Sequence, residues 1–228
     1  MVSQSPGNLT NRGYDTSHGF GVRIGYLGQL SDTVSIGATY ATKIRMSRFD
    51  KYQGLFAEEG DFDVPENWGV GIAVKPSDAL AIAVDYNRIN YSKVRSIGNQ
   101  SLVPFPLGNA SGPGFGWRDV DVVKVGVEYA ASERLVVRGG YNHSKNPISG
   151  DNVTFNIIAP GVITDHATLG ATWTLASGNE LTVSYAHAFK QSVKGASILP
   201  VFMGGMPAGQ EEISMYQNSI GIQYAWKL

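Results

Sequence analysis

The sequence predicts an all-β protein: an antiparallel up-and-down β-barrel that spans a membrane. Three observations carry that expectation. Large apolar residues alternate with small or polar ones at period two in segment after segment, the pattern of strands with unlike faces. The connections alternate strictly between short turns and long loops, as periplasmic turns and extracellular loops do in outer-membrane barrels. Aromatic residues stand near both ends of the large-residue faces, where Tyr and Trp settle at the two water–lipid interfaces.

The clearest segment is the last, residues 213–228, reading ISMYQNSIGIQYAWKL. Tyr216, Asn218, Ile220, Ile222, Tyr224, Trp226 and Leu228 fall on one face, and Gln217, Ser219, Gly221, Gln223, Ala225 and Lys227 on the other. At the other end of the chain, residues 19–27 set Phe20, Val22, Ile24 and Tyr26 against Gly21, Arg23 and Gly25. Residues 34–46 set Val34, Ile36, Tyr40, Ile44 and Met46 against Ser35, Gly37, Lys43 and Arg45. Three further hairpins follow: 68–74 with 80–91, 117–130 with 135–141, and 167–175 with 181–189. Long stretches rich in Gly, Pro, Asn and Ser separate these units, at 47–67, 87–116, 144–165 and up to Glu212, and they read as loops. The total is about nine strands, most near the roughly 9–11 residues of a barrel strand. Counting direction back from the last strand puts Tyr26, Tyr129, Trp173, Tyr224 and Trp226 at the inner boundary. Tyr40, Tyr86, Tyr141 and Tyr185 fall toward the outer boundary, with Trp68, Trp117 and Tyr216 above them.

Composition bounds the function. The 228 residues carry a net charge of −1, which gives no basic surface for nucleic acid. There is no cysteine, hence no disulfide framework and no thiolate site. No run approaches the roughly 18 apolar residues of a membrane helix, so a spanning form has to be a barrel. The N-terminus, MVSQSPGNLTNRGYD, lacks the basic and apolar regions of a signal peptide. An exported barrel is then expected to be mature or a fragment, and a fragment is favoured. The competing fold is a soluble sandwich or lipocalin-like barrel with the large face as its core. The two aromatic girdles and the alternating loops count against it.

Several stretches resemble the FadL/TodX family of outer-membrane transporters for long-chain fatty acids and other hydrophobic compounds. They are GYDTSHGFGVRIG, KYQGLFAEEGDFDVPENWGVGIA, GPGFGWRDVDVVKVGVEYA, FNIIAPGVITDHATLGATW and the closing strand. The resemblance implies fourteen strands, an N-terminal plug in the lumen and a ligand path running inward from an outer groove. On that basis the chain is the C-terminal part of such a transporter, an incomplete barrel. Residues 1–18 would end an extracellular loop, and residues 19–228 would form strands, turns and further loops. The loop at 47–67, with Leu55 and Phe56, would help form the outer ligand groove. The plug and the kinked strand that opens the wall toward lipid would lie outside this chain. Leu228 departs from the Phe that usually ends such barrels.

The chemistry points to binding and passage with no catalytic residue. Gly19-Phe20-Gly21 has the wrong spacing for a dinucleotide loop and alternates as a strand. His18, His143, His166 and His187 show no metal-ligand spacing. His143 and Ser144, adjacent on a strand, face opposite ways and cannot act as a hydrolytic dyad. Glu58, Glu59, Asp61 and Asp63 read as a solvated loop before they read as a Ca²⁺ site. Phe155, Ile157 and Ile158 dock ligand or pack their loop. By parity the lumen face holds Arg23, Lys43, Arg45, Lys124 and Arg138 against only Asp85 and Glu128. A register pairing Ala130 with Val136 sets Glu128 opposite Arg138 and leaves Lys124 opposite Asn142. Lys124 is therefore the expected partner of a ligand carboxylate, with Lys43 and Arg45 drawing the anion inward. The function expected is passive uptake of hydrophobic molecules, long-chain fatty acids foremost, across a Gram-negative outer membrane. An aromatic hydrocarbon stays open as the ligand. The expected partners are that ligand and membrane lipid, with no cofactor, metal or nucleic acid, and a monomer when complete. The alternatives are a soluble or membrane-attached lipid-binding barrel and an outer-membrane lipase.

Overall fold

The structure, a computed structural model, describes residues 2–227; Leu228, counted above in the closing strand, lies outside the described residues. Eleven strands follow in chain order: β1 (Gly19–Phe20), β2 (Arg23–Ser31), β3 (Val34–Ala41), β4 (Arg45–Met46), β5 (Asn67–Ser77) and β6 (Leu80–Ile89), then β7 (Val120–Ser132), β8 (Leu135–Ser144), β9 (Asp165–Thr174), β10 (Glu180–Ala196) and β11 (Gln210–Ala225). Nine of them form one sheet in the order β11-β10-β9-β8-β7-β6-β5-β3-β2. Every ladder in it is antiparallel and joins neighbours along the chain, so the meander is the up-and-down topology expected. Residues 32–33, 78–79, 133–134 and 175–179 make the short connections, while 42–66, 90–119, 145–164 and 197–209 make the long ones.

The sheet does not close on itself. Nine strands is an odd number, so β2 and β11 run in the same direction and cannot complete an antiparallel ladder. Among the described residues each has a single partner in the sheet, β3 and β10 respectively. This is the incomplete barrel that the family resemblance implied.

The two faces of the sheet differ as the pattern demanded. Ladder partners on one face are Ile36, Ile72, Val84 and Val125. On the other they are Gly37, Gly71, Asp85 and Lys124. The large-residue face is open: Ile222 is 75% exposed and Leu169 67%. A soluble sandwich would bury that face, whereas here it is the surface that lipid covers. A hollow of about 720 Å³ lies against the small-residue side, lined by Ala83, Gly126, Gly140, Ala186 and Ser219 among others. That side is the concave, lumenal one.

The structure departs from the sequence expectation in three ways. Residues 19–27 and 34–46 do not run unbroken. β1 pairs with β4 (Gly19 with Met46), one residue out of step with β2 and β3 (Arg23 with Ala41). The slip sits where the Thr42 hydroxyl, in place of a carbonyl, accepts the Val22 N–H at 3.1 Å. Parity counted from Val34 therefore cannot be carried to Lys43 and Arg45, which lie outside the nine-stranded sheet. Trp117, expected at the top of a strand, precedes β7 and packs edge-on against Tyr91 at 5.0 Å. β10 and β11 run on past β9, to Ala196 and from Gln210, through a bulge between Ala188 and Gln191. Lys190, Lys194, Glu211 and Glu212 hide this extension from a search for apolar alternation, because it stands in water above the membrane. Its inner side carries the buried cluster of Ile148, Val153, Val162 and Ile213, which seats the loop 145–164.

The facing is testable by substitution. Val125 and Ile222 lie on the lipid side, while an added Cβ at Gly126 meets nothing within 4 Å. Arg at Val125 or Ile222 should destabilise the membrane-inserted protein by about 2–4 kcal/mol if that site is near the midplane. Arg at Gly126 should be far milder. Equilibrium unfolding from bilayers measures both, and equal losses would reject the assignment of faces.

Candidate functional site

The long loops converge above one end of the sheet and enclose an apolar cavity of about 480 Å³. Leu55, Phe56 and Phe62 enter it from the loop 42–66, Leu107 and Phe115 from 90–119, and Phe155 and Ile158 from 145–164. Val2 and Leu199 complete the apolar wall. The phenylalanines form a chain of ring contacts: Phe49 to Phe56 at 5.9 Å, Phe56 to Phe62 at 5.0 Å, and Phe62 to Phe115 at 6.3 Å. No lining residue is charged. The two polar side chains in the wall are already engaged. Ser96 Oγ donates to the Asp61 carbonyl. Thr154 Oγ1 donates to Glu211 Oε2 at 2.5 Å and accepts the Ile198 N–H at 3.0 Å.

Buried asparagines hold these loops in place. Asn152 Oδ1 accepts the Ser101 N–H at 2.8 Å, and its amide donates to Gln100 Oε1 at 2.9 Å. Asn156 donates to the Phe115 carbonyl at 2.6 Å and accepts Trp117 Nε1–H at 2.5 Å. Both side chains are buried, so each missing bond would leave a desolvated polar atom. The loop 145–164 is thus stapled to 90–119 at the residues flanking Phe115. At the other end of the chain, Ser3 Oγ donates to the Gly54 carbonyl at 2.7 Å and ties the N-terminal segment across the loop 42–66.

The residues singled out from the sequence are not brought to one place. Leu55 and Phe56 line the cavity. Lys43 does not: its Nζ lies 2.6 Å from Asp63 Oδ2 and donates to the Lys93 carbonyl at 3.2 Å. The expectation of an unpaired Lys43 is therefore corrected. Its carboxylate arrives from the returning loop, which counting along strands does not see. Arg45 sits on β4 opposite Phe20 and forms no ion pair among the described residues. Lys124 lies in mid-sheet on the lumenal side. Asn142 is opposite it on β8, as the register required, but Asp85 is opposite it on β6. No ion pair joins Lys124 to Asp85 within 4.0 Å. Arg138 is bound to Glu128 at 2.7 Å and donates to Thr172 Oγ1 at 2.7 Å.

The acidic loop is held by cations. Glu59 meets Arg48 at 2.7 Å, Glu58 meets Arg95 at 3.5 Å, and Asp63 meets Lys43. Asp61 has no such partner, and burial, with Asp63 and Glu58 nearby, pushes its carboxyl up to about 6 against the opposing pull of Lys43. His143 Nδ1 lies 2.8 Å from Asp165 Oδ1, while Ser144 Oγ turns to the Thr164 carbonyl at 3.3 Å. Leu107, Phe115 and Leu199 escaped the sequence reading. Their only signal was apolar residues in Gly- and Pro-rich loops, including the uncharged run 196–209.

A lipid-facing antiparallel meander beneath loops that enclose an apolar cavity defines part of an outer-membrane β-barrel. The family model described as outer membrane protein transport protein (OMPP1/FadL/TodX) matches residues 4–198, and the chain belongs to that family. Its place is the Gram-negative outer membrane. The toluene transporter TodX of Pseudomonas putida has the same fold, at 15% identity and a TM-score of 0.56, over 91% of this chain and 49% of that one. A Pseudomonas aeruginosa FadL homologue is alike at 16% identity and a TM-score of 0.60, over 90% and 50%. The chain thus spans about half the length of these solved relatives. No curated protein matches it.

The acidic loop should respond to pH. Asp61 titrates near 6 in the folded loop against an ordinary 3.8, so the folded state binds the proton more tightly. The loop is then stabilised as pH falls through 6 toward 4, and that stabilisation is lost as pH rises through 6. Hydrogen-exchange protection of residues 57–63 should fall between pH 4.5 and 7 in the parent, roughly in step with that titration. It should stay level in Asp61→Asn. Matching profiles in the two proteins would refute the assignment.

Proposed function

We propose that the chain belongs to a channel for passive uptake of hydrophobic small molecules across the outer membrane. The observation that supports this best is the cavity of about 480 Å³ whose wall holds no charged side chain. Its size falls within the roughly 300–1,000 Å³ of small-molecule sites. A ligand binds there by removing apolar surface from water, at about 25 cal/mol for each Å² buried. No reaction and no external energy source are needed, since the ligand moves down its gradient. From the cavity it descends along the small-residue face of the sheet, where Gly126, Gly140 and Ala186 leave room.

The uncharged wall favours an uncharged hydrocarbon, because its two polar side chains, Ser96 and Thr154, are already hydrogen-bonded. A second reading, a long-chain fatty acid, is favoured by Lys124, which stands in the lumen without an ion pair. Arg45, nearer the loops, would draw the anion inward. A charge-assisted hydrogen bond contributes about 1.5–3 kcal/mol. If a carboxylate uses Lys124, Lys124→Met should weaken oleate binding about ten-fold or more and leave toluene binding unchanged. Equal retention of both ligands would leave Lys124 as the neighbour of Asp85 and exclude the fatty-acid site there. The uptake reading itself fails if neither ligand binds the parent protein.

A further inference from the structure

A second apolar cavity, of about 370 Å³, lies beside the first and is lined by Asp15, Phe49, Tyr52, Leu55, Phe56 and Phe62. Leu55, Phe56 and Phe62 also line the larger cavity. These three side chains are therefore a common wall, with apolar space on both sides. Asp15, the one charged residue of the smaller cavity, is committed elsewhere. Its oxygens accept the Thr16 and Lys51 N–H groups, each at 2.9 Å.

The wall is carried by an unusual piece of backbone. Phe56 and Phe62 flank a turn in which Glu58 and Glu59 have φ of 55° and 60°, and Gly60 follows at 99°. Two consecutive left-handed residues with side chains are disfavoured, so the turn persists only because its surroundings hold it. The holding contacts are identifiable. Arg48 pairs with Glu59 and Arg95 with Glu58. The Glu59 N–H donates to the Gly108 carbonyl at 2.9 Å, and the Phe49 N–H to the Gly60 carbonyl at 2.8 Å. Ala57, at the start of the turn, is fully buried. The turn fixes where both rings stand, and the rings meet edge to face at 5.0 Å across it.

We propose that Phe56 and Phe62 are a partition that sets the length of ligand the outer site accepts, with Glu58 and Glu59 as the positioning residues that keep it in place. The proposal rests on the uptake reading above. With the partition in place a ligand occupies one compartment. With it removed or loosened, the two compartments join, and a longer apolar chain can bury its full length. The device acts on length alone, because the wall presents no group that would distinguish polarity.

The test is the chain-length profile of a series of uncharged alkylbenzenes, from toluene to dodecylbenzene. Their binding is read by displacement of a naphthylamine dye from the full chain in amphipol. Each further buried methylene should raise affinity about four-fold until the compartment is full, after which affinity levels off. In Phe56→Ala the plateau should move to longer chains, so that dodecylbenzene gains about ten-fold or more over the parent while toluene does not gain. Arg48→Glu, which sets two carboxylates against each other, should move it the same way without removing a ring. The double variant Arg48→Glu/Glu59→Arg should restore the parental profile. A pair with only a structural role would alter thermal stability and leave the plateau where it was. A plateau at the same length in all four proteins overturns the partition. A parent that binds none of the series overturns the uptake reading, and the partition with it.

Discussion

In the hydrocarbon layer every backbone N–H and C=O must find its partner inside the protein. That single constraint dictates most of this structure. It allows only helices or hydrogen-bonded strands, and among the described residues no helix is long and apolar enough to cross a membrane. The strands must then pair with their neighbours along the whole crossing, which the eight ladders of the sheet do. Side chains are left to serve two solvents at once. Period two follows, since alternate residues face lipid and lumen. The same constraint makes the free edges of β2 and β11 the weak point of the sheet. Their parallel directions mean that only an odd number of further strands could join them with antiparallel ladders throughout.

At the outer boundary a repeated contact marks the change of solvent. Each strand that rises from a short turn carries a lipid-side tyrosine whose hydroxyl donates to an acceptor near the loops or on the next descending strand. Tyr40 donates to Glu66 at 2.8 Å, Tyr86 to Asp121 at 2.6 Å, Tyr141 to Asp165, and Tyr185 to Asn218 at 2.7 Å. The ring lies against lipid while the hydroxyl reaches the polar layer, which is why Tyr suits the position. Above these pairs Arg88 and Lys145 converge on Asp121, a density of charge that the hydrocarbon below could not hold.

Where lipid imposed a rule, the sequence was readable. The nine strands of the sheet, their order and the Glu128–Arg138 register follow from alternation and turn length, because a one-residue slip would turn every apolar side chain to the wrong face. The loops obey no such rule. The phenylalanine pocket is assembled from residues as far apart as Val2 and Leu199, and no periodicity links them. Lys43 shows the limit clearly. Its strand position was counted through Thr42, where a side-chain hydrogen bond breaks the ladder, and its partner Asp63 comes back from the loop. The upper part of β10 was missed for a related reason: in water it carries Lys190 and Lys194, the latter paired with Glu212 of β11, so the lipid signature is gone.

The distribution of charge decides what kind of binding the outer site can perform. Arg48, Arg95 and Lys43 are each turned toward a carboxylate of the loop 58–63, leaving the cavity beside them without a field of its own. The two exposed pairs, Arg48–Glu59 and Arg95–Glu58, contribute little to stability individually, typically about 0–1 kcal/mol. Their effect here is geometric: they hold a left-handed turn that the backbone alone would not choose. The loop thus spends its charges on shape and leaves its phenylalanines to line the cavity. Affinity at such a site should follow buried apolar area and vary little with salt, since no unpaired charge lines it. Any electrostatic selection is then left to the lumen, where Lys124 and Asp85 face one another across the β6–β7 ladder. On the proposed uptake path, a molecule passing from the cavity to the sheet would be sorted first by shape and hydrophobicity, and only afterwards by charge.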